Sequence, residues 1–121
     1  MTAEISSIEG GLVTLRVSGQ LTQRELSAAQ AEVARIIDRT DKVRILVLAE
    51  HFAGWEKGGT WSDFSFQIAH DDDIERMAIV GEERWRDLAL LFTSQGMRPF
   101  PVEYFVPERL AEARAWLAQA G

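Results

Sequence analysis

The chain has 121 residues, 46% of them apolar and 26% charged, with a net charge of −6 and no cysteine. A chain of that length suits one domain, spanning 1–121, that removes roughly two-thirds of its unfolded surface from water. The missing cysteines exclude disulfides, thiol catalysis and thiolate metal sites, and scattered arginines in an acidic chain disfavour nucleic-acid binding and polybasic membrane attachment.

No apolar run approaches the roughly 20 residues that span a bilayer. The opening MTAEISSIEG lacks the basic-then-apolar pattern of a signal peptide. A cytoplasmic location is the expectation.

Residues 3–9 and 12–18 read as two strands, the second alternating Val13, Leu15 and Val17 with polar neighbours. Glu9-Gly10-Gly11 between them is a hairpin break, because glycine reaches positive φ without steric cost. Thr22-Gln-Arg-Glu25 has the pattern of a capping box. Leu26, Ala29, Val33, Ile36 and Ile37 follow at helical spacing, predicting a helix over about 22–39. Val43 to Ala49 is a nearly continuous apolar run, as expected of a strand covered on both faces.

The segment from His51 to His70 holds both histidines and five aromatic residues, interrupted by Gly54, Gly58 and Gly59. Its first half, to Gly59, predicts a mobile loop. Its second half predicts a helix over about 60–69, with Trp61, Phe64, Ile68 and Ala69 turned to the sheet. Ile74 to Val80 is a further strand, 82–94 a helix with Trp85, Leu88, Ala89 and Phe92 on one face, and Val102 to Val106 a last strand. Pro107 and Glu108 suit a first helical turn, and Leu110, Ala113, Trp116 and Leu117 form the stripe of the final helix.

The order is therefore β-β-α-β-α-β-α-β-α. It predicts an α/β domain with a mixed, mostly parallel five-stranded sheet and four helices, the first hairpin adding an antiparallel edge.

Ligands of open α/β sheets bind beyond the carboxyl ends of strands. Three places qualify: the segment after Ala49, the Gly81 turn and the Phe105-Val106-Pro107 corner. The candidate binding residues are His51, Phe52, Trp55, Trp61, Phe64 and His70, with Trp55 as the contact residue of the loop and the glycines as its hinges. Core packing alone accounts for most of these aromatics. An acid–base site would use His51 or His70 with Asp63, as a small hydrolase or isomerase. Against it, His70 suits a helix C-terminus and Asp71-Asp72-Asp73 a solvated turn.

Other chemistries find no pattern. His70-Asp-Asp-Asp73 does not match a calcium loop, because neighbouring side chains point apart. Ser62 lacks a nucleophile elbow, and Val80-Gly-Glu-Glu-Arg84 lacks the glycines and lysine of a phosphate cradle. No cofactor is expected.

Three segments, Trp61 to His70, Ile74 to Trp85 and Val102 to Leu117, together resemble the SpoIIAA-like proteins, small bacterial domains of STAS type. The resemblance covers nearly the whole chain. It implies the same mixed sheet and a non-enzymatic, regulatory role that binds a protein partner, a nucleotide or a lipid-like ligand. It also implies a likeness to lipid-binding folds of the CRAL-TRIO type, which adds weight to an apolar cavity. The Asp-x-Ser-Gly phosphorylation motif of anti-sigma-factor antagonists has no counterpart, since the region reads Leu48-Ala-Glu-His-Phe-Ala-Gly-Trp55. A third reading is a homodimer formed through the aromatic loop or a sheet edge.

Overall fold

The computed structural model describes residues 2–57 and 65–119. Gly10 and Gly11, at φ of 55° and 84°, fold β1 (Ala3–Glu9) back along β2 (Leu12–Leu21) as an antiparallel pair. Parallel strands β3 (Val43–Trp55), β4 (Ile74–Val80) and β5 (Val102–Phe105) extend the sheet in the order β1-β2-β3-β4-β5. Helices α1 (Gln23–Thr40), α2 (Ser65–His70), α3 (Arg86–Phe92) and α4 (Leu110–Ala118) complete the expected order.

Each crossover advances one strand in the same direction, and right-handed crossovers of that kind put their helices on one face. The helices α1, α2 and α3 share that face. The helix α4, after the last strand, covers the other, where Leu46, Ala78, Val80, Ala113 and Leu117 are buried together. Burial of a leucine such as Leu117, with no exposed surface, contributes about 1.5–3 kcal/mol. Two arginines of the sheet finish this helix: Arg44 donates to the Leu117 carbonyl at 3.3 Å and Arg76 to that of Trp116 at 2.8 Å. Cations there complement the negative helix end.

The start of α1 differs in detail from a capping box. The Thr22 hydroxyl accepts from the Glu25 amide at 3.2 Å, as the pattern predicts. The Glu25 carboxylate turns instead to Thr2, accepting from its amide at 2.8 Å and its hydroxyl at 2.6 Å. Those Thr2 bonds, the hydroxyl's first, hold the Glu25 carboxyl below its usual pKa and tie the chain start to the helix.

The largest departure from expectation lies after Ala49. The chain does not leave the sheet there: β3 continues to Trp55 beside a longer β2. Between the Val17–Ala49 and Leu21–Trp55 pairs β2 advances four residues and β3 six, so the strand bulges. His51 at φ 53° and Gly54 at φ 103° lie in that stretch of β3. Bulges break the period of two that identifies a strand, which is why the segment reads as a loop.

The short helix α2 also has a different phase. Ile68 is 85% exposed and Ala69 is exposed, while Phe66 packs against the core. Phe66 and His70, one turn apart, meet with ring centroids 5.2 Å apart. Trp61 and Phe64 lie outside the described residues, as do the other predicted helical positions before Ser65. In α3 the expected face holds for Trp85, Ala89 and Phe92, while Leu88 is 49% exposed and Leu90 packs inward instead.

Candidate functional site

The helix α1 packs over β1 and β2, and α3 packs over β5. A cavity of about 360 Å³ lies between the two helices. Its floor is the α1-side face of the strands, including Leu15, Val17, Ile45, Val47 and Met77. Leu26, Ala29 and Val33 of α1 form one wall, and Trp85, Ala89 and Phe92 form another. That volume lies within the range of small-molecule pockets, about 300–1,000 Å³, and the mostly apolar lining is typical of them.

One end of the cavity is built from rings. Phe52 meets Trp55 and Trp85 edge-on, with centroids 5.0 Å and 5.1 Å away. The two indoles are 6.0 Å apart, and Trp55 lies 5.2 Å from Phe92. The bulged β3 delivers Phe52 and Trp55, and the 3-10 turn Glu83–Trp85 after β4 delivers Trp85. Edge-to-face pairs of this kind add about 0.5–1.5 kcal/mol beyond the area buried.

Polar groups are few, and several are unused. The indole Nε1 atoms of Trp55 and Trp85 and the side-chain oxygen of Gln67 are shielded from solvent, without a hydrogen-bond partner among the described residues. All three residues line the cavity. An unsatisfied buried polar group costs about 1–3 kcal/mol.

Tyr104 and Arg98 are engaged within the protein. Tyr104 donates its hydroxyl to the Glu82 carbonyl at 2.7 Å. Burial pushes its pKa from 10.0 up to about 12, against the opposing pull of Arg86. Arg98, the only charged side chain among the described lining residues, grips Asp71 through two bonds of 2.6 Å and 3.0 Å. It also donates to the Thr93 carbonyl at 3.3 Å. Asp71 is therefore a partly enclosed ion-pair partner, where the acidic run predicts a solvated turn.

The predicted site residues scatter. Phe52 is buried and Trp55 half-buried in the cavity wall, packed rather than on a mobile loop. His51 is exposed. His70 rests on Phe66 with Nδ1 3.6 Å from Asp73, too long for a hydrogen bond, and it does not line the cavity. Asp63, the proposed carboxylate of an acid–base pair, lies with Trp61 and Phe64 outside the described residues.

Of the two neighbouring corners, the Gly81 turn leads into Trp85 and contributes to the cavity. The Phe105–Pro107 corner does not: Phe105 faces the other side of the sheet, against Trp116. Gln67 and Arg98 escaped notice because nothing in the sequence marks a glutamine or an arginine as facing a cavity. Among the described residues no His, Asp and Glu side chains cluster as metal ligands, and no helix is long and apolar enough to cross a membrane.

Comparison with known proteins follows the fold. No curated protein matches the chain. An uncharacterised protein of the DUF3478 family from Shewanella loihica PV-4, with a SpoIIAA-like fold, is similar in structure at a TM-score of 0.69. The two share 17% sequence identity, and the match covers 95% of this chain and 91% of that one. At that identity the likeness is one of fold. The SpoIIAA-like family pattern matches residues 12–118, and on that match over most of its length the chain belongs to the SpoIIAA-like family.

Proposed function

We propose that this protein is a non-catalytic binding module whose cavity takes a small, mainly apolar ligand. The observation that carries the reading is the cavity itself: about 360 Å³ on the α1 side of the sheet, across β2, β3 and β4, lined mainly by aliphatic and aromatic side chains. Apolar burial supplies the affinity, since each buried CH₂ contributes about 0.8 kcal/mol. A regulatory role fits a module that gains stability when loaded.

The test is a thermal-shift screen, because a ligand that binds only the native state raises the midpoint of unfolding. Fatty acids, alcohols and isoprenoids are compared with nucleotides. Apolar compounds should raise the midpoint, and Ala89→Leu, which fills part of the cavity, should abolish the shift. A shift from nucleotides alone, or one that survives Ala89→Leu, overturns the reading.

A further inference from the structure

We infer that the ligand of this cavity is a neutral amphiphile of the monoacylglycerol kind. Its chain fills the apolar interior, and its hydroxyl-bearing head stays at the opening between α1 and α3, against Ser27 and Gln30. The inference rests on the reading of the cavity as a ligand site and names the class of molecule that fits it.

Exposure locates the opening. Ser27, Phe92 and Ser94 are the exposed residues among the described lining, and they place the mouth between the first half of α1 and the end of α3. The floor, with Leu15, Val17, Ile45 and Met77, is buried and apolar. A ligand that fills this space has one dry end and one wet end.

The wet end is polar without charge. Gln23, Ser27 and Gln30, spaced by four and three residues, form one stripe along α1, and all three line the cavity. Charged residues of the same helix, such as Arg24, Glu32 and Arg35, are exposed and do not line it. Beyond α3 the lining continues with Thr93 and Ser94, again uncharged. Ser27 is exposed and Gln30 half-buried, so both keep surface that a ligand can reach. A hydroxyl and a carboxamide each donate and accept, which suits a head made of hydroxyl groups.

Charge is the second observation. Arg98, the one charged side chain among the described lining residues, is held by Asp71 at 2.6 Å and 3.0 Å. A carboxylate or phosphate head thus meets no uncommitted cation there, and the net charge of −6 repels it besides. A cationic head meets no acidic side chain among the described lining residues. Only a head without net charge finds groups that complement it.

The experiment is an NMR titration of the full chain with three amphiphiles of matched chain length, each below its micelle concentration: monooctanoylglycerol, octanoate and octyltrimethylammonium. Toluene, which has no head, probes the apolar interior and is the folding control for every variant. Monooctanoylglycerol should bind about five-fold more tightly than either charged amphiphile, the worth of one hydrogen bond. Ser27→Ala and Gln30→Leu should each weaken it by about the same factor and leave toluene unchanged. Gln30→Lys should strengthen octanoate about ten-fold, because a charge-assisted bond replaces none.

Either charged amphiphile binding the native chain as tightly as monooctanoylglycerol overturns the inference. So do Ser27→Ala and Gln30→Leu variants that keep full affinity for it, and a Gln30→Lys variant that gains nothing toward octanoate. If no probe binds, toluene included, the cavity reading falls and takes this one with it. Binding of toluene with no preference among the heads sinks the present inference alone.

Discussion

Gly54 and Trp85 are fitted to each other: a Cβ placed on Gly54 would lie 3.4 Å from the far edge of the Trp85 ring. Gly54 also sits at φ 103°, where side chains are strained. The backbone requires glycine at this bulge, while the added Cβ would only touch the ring. Gly54→Ala should therefore cost about 1–2 kcal/mol, most of it backbone strain. A lower urea midpoint with an unchanged slope would show it. An unchanged midpoint would mean that the bulge relaxes without loss.

Gly81 is constrained by space rather than dihedral. An added Cβ would lie 2.6 Å from the Tyr104 hydroxyl oxygen and 3.2 Å from the Ala49 Cβ. Gly81→Ala should displace the phenol and cost about 1–3 kcal/mol. Tyr104→Phe should cost about 1 kcal/mol through the lost bond to the Glu82 carbonyl. Because Tyr104→Phe also removes the atom in conflict, the double variant should be more stable than the sum of the two losses predicts. Strict additivity would refute the clash.

The same phenol carries a pH signature. Its folded pKa of about 12 lies above the ordinary 10.0, so folding favours the neutral form. That contribution is fully present below pH 10 and is lost as pH rises toward 12. Tyr104 is the only tyrosine, so phenolate absorbance reports it alone. The native titration should run about two pH units above that in urea. Coincident curves would place the ring in water.

Arg98 and Asp71, 27 residues apart in sequence, are joined by two short bonds with both side chains mostly enclosed. Removing one partner of such a pair strands the other charge. Arg98→Met should cost about 3 kcal/mol, and adding Asp71→Asn should recover part of it. Equal stability of the single and double variants would show that Asp71 finds water instead.

Trp55→Ala is a poor probe of binding, because the ring touches Phe52, Trp85 and Phe92. Its truncation should destabilise the fold by about 3–5 kcal/mol, the range for a large aromatic. The sequence reading, with Trp55 on a mobile loop, predicts almost no loss. Denaturant unfolding separates the two.

Sequence alone determined the order of elements, the antiparallel first hairpin, the family and the cap at Thr22, because periodicity, glycine breaks and capping residues are local. It also marked Trp55 and the Gly81 turn as ligand-prone. Only the tertiary structure decided that β3 runs through the supposed loop, since bulges erase the alternation by which strands are recognised. The phase of α2, with Phe66 inward and Ile68 outward, depends on neighbouring elements that a helix of six residues cannot specify. The cavity is of the same kind: it exists because α1 and α3 stand apart over the sheet, bringing Trp55, Gln67 and Trp85 to one space. Spacing between helices is set by packing across the whole domain, and no local pattern records it.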